Sequence, residues 1–182
     1  MRFAFRIYLM ATAALAIRCA SDGGATGWVP DLEQAKWDEL EAAADTVRLG
    51  DPFDLRVGGS VHIAGERLWI VFADVPSDSR CPINVNCVWE GVASVHLWAR
   101  QDPPTGAPGV PALLVVHTTD ALAHSRSVEF GAHTVALSAL LPHPVAVEDD
   151  AGATPPWRVK APELRDYAAT LTVTRTDSRG AD

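Results

Sequence analysis

From Thr46 onward, apolar side chains recur at every second position. Phe53, Leu55 and Val57 alternate with Asp54 and Arg56, which predicts a half-buried strand. Gly58-Gly59 then breaks or bulges it before Val61 and Ile63 resume the pattern. Ala64 to Arg67 reads as a turn. Leu68, Ile70 and Phe72 point one way and Trp69, Val71 and Ala73 the other. A strand apolar on both sides is expected at the centre of the fold, covered on both faces. Val92 to Arg100 follows, with Val95 and Leu97 set against Ser94, His96 and Trp98, and Ala112 to Thr118 is another apolar strand. Ser127–Phe130 and His133–Leu141 flank Gly131-Ala132 and predict a hairpin or a bulged strand pair. Tyr167, Ala169, Leu171 and Val173 alternate with threonines in a last half-exposed strand. About seven or eight strands with hairpin-scale connections predict an all-β fold, an antiparallel β-sandwich or a small barrel.

One stretch has helical rather than strand periodicity. Leu32, Ala35, Trp37, Leu40 and Ala44 form a partial apolar face, and Asp31 with Gln34 resembles a capping box, so a short helix is expected from about Leu32 to Ala44. It is expected to pack on its own domain. The loops are marked by breakers. Gln101 to Pro111 is rich in proline and glycine, and Val145 to Pro162 carries Glu148-Asp149-Asp150 and Pro155-Pro156-Trp157. Both are expected to be surface loops.

The first eighteen residues differ in kind. Arg2 and Arg6 precede a largely apolar run whose clean part, Ile7 to Ile17, is too short for a stable bilayer span, as in an export signal. Two cuts compete. Leu15-Ala16-Ile17-Arg18-Cys19 resembles a lipobox with Cys19 as the lipid-bearing residue, although Arg18 stands where a small residue is usual. Ala14-Leu15-Ala16 is an A-x-A site. The lipobox reading is preferred because it also explains why the cysteine count is odd. The expected organisation is a signal segment over 1–18, a flexible tether over 19–30, one β-domain with its short helix over 31–177, and a frayed tail over 178–182.

The chain is organised around Asp78-Ser79-Arg80-Cys81-Pro82-Ile83-Asn84-Val85-Asn86-Cys87-Val88-Trp89-Glu90-Gly91. Cys81 and Cys87 are spaced C-x5-C with no further zinc ligands beside them. In an exported chain such a pair is expected to be a disulfide. Pro82 stops the preceding strand from continuing through the loop, and Gly91 permits a tight entry into the next one. The run D-S-R-C-P-x4-C-x-W-x-G resembles the signature of a family of small exported bacterial proteins, many of them lipoproteins. Phe72–Val75, Val92–Leu97, Leu140-Leu141-Pro142-His143-Pro144 and the Tyr167 strand fit the same pattern. The resemblance spans about Leu49 to Arg175; it implies export and carries no reaction.

Charge narrows the partners. Fifteen basic and twenty-three acidic residues give a net charge of −8. Arg2, Arg6 and Arg18 precede Cys19 and no acidic residue does, so removing that segment takes the charge to −11. Such a surface repels phosphate backbones, which argues against nucleic acid, and any membrane contact is expected only through an N-terminal lipid.

Candidate chemistry is sparse. No G-x-S-x-G occurs, and Gly58-Gly59-Ser60 lies in strand pattern. The six histidines are scattered, although His62, His96 and His117 fall on strands. Asp74, Asp78 and Glu90 flank the loop without a calcium-loop pattern. No metal or cofactor is expected. Trp69 and Trp89 sit in apolar contexts and are expected in the core, with Trp98 and Trp157 more available. The reading is a non-enzymatic cell-envelope or periplasmic binding domain on a lipid tether, with Asp78, Arg80 and Glu90 as exposed contacts on the rigid Cys81–Cys87 loop and an unidentified protein or envelope ligand as partner. Two alternatives are a protease inhibitor presenting Arg80, and a metal or small-ligand carrier using the strand histidines.

Overall fold

A computed structural model describes residues 34–149 and 157–176. The signal segment, the tether with Cys19, the helix cap Asp31 and the tail lie outside the described residues.

Two open sheets share one core. The first is ordered β1 (Asp45–Val47), β3 (Ser60–Ile63), β4 (Leu68–Asp78), β5 (Ala93–Gln101), β6 (Ala112–His117). The second is ordered β2 (Pro52–Arg56), β11 (Ala168–Arg175), β8 (His133–Leu141), β7 (Ser127–Phe130). Val61, Ile63, Leu68, Ile70, Phe72, Val95, Leu97, Leu114 and Val116 of the first sheet pack in one cluster with Leu55, Val135, Leu137, Leu140, Ala169, Leu171 and Val173 of the second. This is a β-sandwich; among the described residues no sheet closes into a barrel.

The Gly58-Gly59 break has a topological consequence. β2 pairs with β11 and β3 pairs with β4, so the chain changes sheets between them. Gly58 has φ +80°, a conformation side chains with a Cβ rarely adopt. Gly58 N and Gly59 O both bond the backbone of Phe72, which holds the crossing point against β4.

β4 is central and covered on both faces, as its two-sided apolar pattern requires. Leu68, Ile70 and Phe72 enter the core. Val71 and Trp69 on the other side meet α1 (Gln34–Ala42) through the buried Trp37 and Leu40, together with Trp98 of β5. Arg100 sits 5.2 Å from the Trp37 ring centre and 5.3 Å from that of Trp69, and pairs with Glu41 and Asp102. Stacking of a guanidinium on indole faces, with its charge balanced by two carboxylates, fixes the helix to the sheet. Ser60 Oγ adds a bond to Leu40 O at 2.6 Å.

Three features differ from the sequence expectation. Eleven strands are present among the described residues, where seven or eight were expected. The three-residue β1 runs parallel to β3, and periodicity cannot reveal strand direction. Val145 to Pro162 contains a ribbon of β9 (Val145–Glu148) and β10 (Trp157–Lys160), where an unbroken loop was expected. Each strand is only four residues long and has no fully buried residue, Val145-Ala146-Val147 does not alternate, and the alternation of Trp157 to Lys160 is too short to stand out beside an acidic and proline-rich stretch.

Candidate functional site

The fourteen-residue stretch lies where β4 ends and β5 begins. Cys81 and Cys87 are joined, with their Cα atoms 5.9 Å apart, well within the range a disulfide spans. Ser79 N donates to Val92 O and Cys81 N to Glu90 O, so the antiparallel pairing of β4 and β5 runs on into the stem of the loop. The stem closes over Gly91, which has φ +67°. A Cβ there would lie 1.9 Å from Ser79 O, so only glycine fits.

At the base of the loop the charges turn inward. The Arg80 side chain is 6% exposed and that of Asp78 4%. Arg80 Nε donates to Asp78 Oδ1 at 2.9 Å and Nη2 to Oδ2 at 2.7 Å, a two-point pair. The same guanidinium donates to Leu140 O and Pro142 O at the end of β8. Tyr167 Oη, arriving ahead of β11, donates to Asp78 Oδ2 at 2.8 Å. The Asp78–Arg80 pair thus ties the loop of the first sheet to two segments of the second, the end of β8 through Arg80 and Tyr167 through Asp78. Burial works against ionising Asp78, but the bonds from the Arg80 side chain, the Arg80 backbone and Tyr167 outweigh it, and its carboxyl lies below the usual value. Burial and the bond to Asp78 push the Tyr167 phenol up to about 12.

This corrects the expectation that Asp78 and Arg80 are exposed contacts. A charge pair placed between two sheets cannot also face solvent, and Arg80 cannot be offered to a protease as a substrate-like side chain. Glu90 is exposed, as expected.

The tip of the loop shows the opposite arrangement. Trp89 is 83% exposed, Val88 91% and Ile83 71%. Trp89 was expected in the core; the disulfide and the stem leave it beyond the end of the sandwich, where no core side chain reaches. One flank of the loop is held by Asn84, whose amide donates to Ala146 O at 2.8 Å and accepts from Ala146 N at 2.7 Å, while Ile83 N donates to Pro144 O. These contacts dock the loop on β9.

Beside the stem lies a cleft of about 390 Å³. Its floor is β8 from Leu137 to Leu141. Its walls are the stem at Arg80, Cys81, Glu90 and Gly91, and Thr118 and Thr119 after β6; Arg126, just before β7, also lines it. His143 lines it too, and burial together with the nearby charge of Arg80 lowers its pKa.

The strand histidines His62, His96 and His117 do not form a ligand group among the described residues. His62 packs on Trp69 and His117 on His124, with ring centres 4.7 and 4.4 Å apart. Among the described residues no three His, Cys, Asp or Glu side chains are grouped so as to hold a metal ion. Asp74 bonds Val75 N, and Asp78 is occupied by Arg80 and Tyr167.

Tyr167, Asn84 and Arg126 escaped the sequence reading. Tyr167 was visible only as a strand residue, and its partner lies 89 positions away. Asn84 sits in a loop of turn-forming residues, where a two-point backbone clamp has no local signature.

No protein-family model, no curated protein and no solved structure matches this chain.

Proposed function

We propose that the protein is an exported, non-enzymatic binding module of the cell envelope, with the tip of the stapled loop as its contact surface. The observation that carries the reading is the exposure of Val88 and Trp89 on a loop held by a disulfide, a glycine-closed stem and the Asn84 clamp. A rigid loop loses little entropy on binding, and tryptophan supplies a large apolar face with one polar handle. Export is supported by the disulfide, which forms in oxidising compartments, and by the basic-then-apolar N-terminal pattern. The lipobox-like Leu15–Cys19 run supports a lipid tether, and the loop signature supports membership of the exported bacterial family it resembles.

The test is photo-cross-linking in the native cell with a photoreactive residue at position 88, and at position 174 as a control on the exposed face of β11. Cross-linked species specific to position 88, and lost on Trp89→Ser, are expected. Equal labelling from the two positions would end the assignment.

A further inference from the structure

Beside the loop, the second sheet leaves part of a strand without a neighbour. β7 pairs with β8 only from His133 to Ala136, and Leu137 N donates one more bond to Arg126 O. The chain before Arg126 then leaves the sheet: Arg126 N turns to Asp120 Oδ1. β8 continues to Leu141 against β11 on its other side, with a bulge near Ser138. Among the described residues, no strand occupies the line of β7 beyond Arg126. That line is the 390 Å³ cleft.

The backbone there faces the cleft. Leu140 O accepts from Arg80, which lies on the cleft side, and in an antiparallel ladder a residue's N–H and C=O point the same way. Arg80 reaches Leu140 and Pro142 at one end of the exposed edge, and Arg126 stands at the other. The two arginines are held very differently. Arg80 is buried and bound on all sides. Arg126 is 46% exposed, 3.4 Å from Ser138 O and 4.0 Å from Asp120. Arg126 therefore holds its position weakly and is free to take a better anion.

We propose that this cleft binds the free C-terminal end of an extended polypeptide, added as a short strand antiparallel to β8 with its terminal carboxylate on Arg126. Direction follows from the line of β7: a strand continuing it antiparallel to β8 points its C-terminus toward Arg126. The reverse direction would set an N-terminal ammonium against the guanidinium. At about 3.4 Å per residue, the edge from Leu137 to Leu141 admits three or four residues. The floor of Leu137, Ala139, Leu140 and Leu141 favours small apolar side chains, and Glu90 near the far end disfavours an acidic residue there. The site is separate from the loop tip, so it holds or fails independently of the reading above.

The probe is N-acetyl-Ala-Val-Val-Ala as the free acid and as the C-terminal amide, titrated into the full disulfide-bonded chain with amide NMR shifts as readout. The acid is expected to shift Ser138 and Leu140 and to bind about tenfold tighter than the amide, the worth of one charge-assisted pair. Arg126→Gln is expected to abolish that preference with the spectrum otherwise preserved, and Trp89→Ser to leave it intact. Equal binding of acid and amide, no shift at Leu140 with millimolar peptide, or the same shifts from acetate alone would each overturn the proposal.

Discussion

Arg80 and Trp89 stand nine positions apart on one loop and exchange the places their side-chain types suggest. The arginine is sealed between two sheets and the tryptophan projects into solvent. The base of the loop is a joint and the tip is a display. What separates them is the supply of partners. At the base, Asp78 and two carbonyls at the end of β8 converge on one guanidinium, and Tyr167 donates to Asp78 in turn. Beyond the disulfide the chain has left the sandwich, and an indole finds no apolar wall. Burial of a charge in this protein is decided by whether a matched acceptor set exists, and exposure of an aromatic by whether the sheets extend far enough to cover it.

The comparison breaks most visibly at Arg80. Arg80→Ala leaves Asp78 buried without its cation and two carbonyls without their donor, and is expected to destabilise the fold by about 3–5 kcal/mol. Chemical denaturation with an unchanged m-value measures it. A loss below 1 kcal/mol would show that the joint contributes little. Replacing both cysteines by serine acts instead on the unfolded chain and the tip. For so short a loop the expected loss is about 2–3 kcal/mol. Hydrogen exchange should then rise at Ile83 N, bonded to Pro144 O, while Arg80 N, bonded to Asp78, stays protected. Equal exposure of both would mean that base and tip are one unit.

The pH dependence sharpens the contrast further, because the titrating groups of the joint oppose one another. Asp78 has a lowered folded pKa, so its contribution is present above the ordinary carboxylate value of about 3.9 and is lost as pH falls through the lowered one. Glu66, held down by bonds from Arg175 and His133 at the other end of the sandwich, adds to the same acid limb. Tyr167 has a raised folded pKa, so its contribution is present below about 10 and is lost as pH rises toward 12. A stability plateau between about pH 7 and 9 is expected, because His143, with its lowered folded pKa, begins to cost stability as pH falls through the ordinary histidine value of about 6.5. Asp78→Asn should flatten part of the acid limb. Tyr167→Phe should remove much of the alkaline one and cost about 1.5–3 kcal/mol at neutral pH through the lost bond to a charged acceptor. Thermal melts across pH decide this, and an unchanged alkaline limb in Tyr167→Phe would remove the phenol from the joint.

The fold was largely legible in the sequence, and the site was legible only in outline. Alternation marked β2, β4, β5, β6, the β7–β8 hairpin and β11, and the two-sided apolar run of Leu68 to Ala73 placed β4 at the centre. Gly58-Gly59 marked the break, and the disulfide and the need for Gly91 followed from residue chemistry. Strand direction for β1 was hidden because periodicity does not encode direction, and β9 and β10 were hidden because four residues beside an acidic, proline-rich stretch are too few to establish a period. The exposure of loop residues was misjudged for a different reason. Local pattern ranks arginine as exposed and tryptophan as buried, whereas Arg80 is placed by acceptors about sixty positions away and Trp89 by the absence of a wall.

The smallest expected effect tests the display directly. If Trp89 contributes nothing to packing, Trp89→Ser should change stability by no more than about 0.5 kcal/mol, the range for surface substitutions. Fluorescence gives a second reading. An indole 83% exposed should emit at long wavelength and be quenched readily by iodide, and the spectrum of the variant should lose that component while the buried Trp37 remains. A loss above 1.5 kcal/mol, or an unquenched Trp89, would mean that the tip folds back on the protein. The loop would then be a joint throughout, since an apolar side chain that stabilises its own fold has no face left to offer a partner.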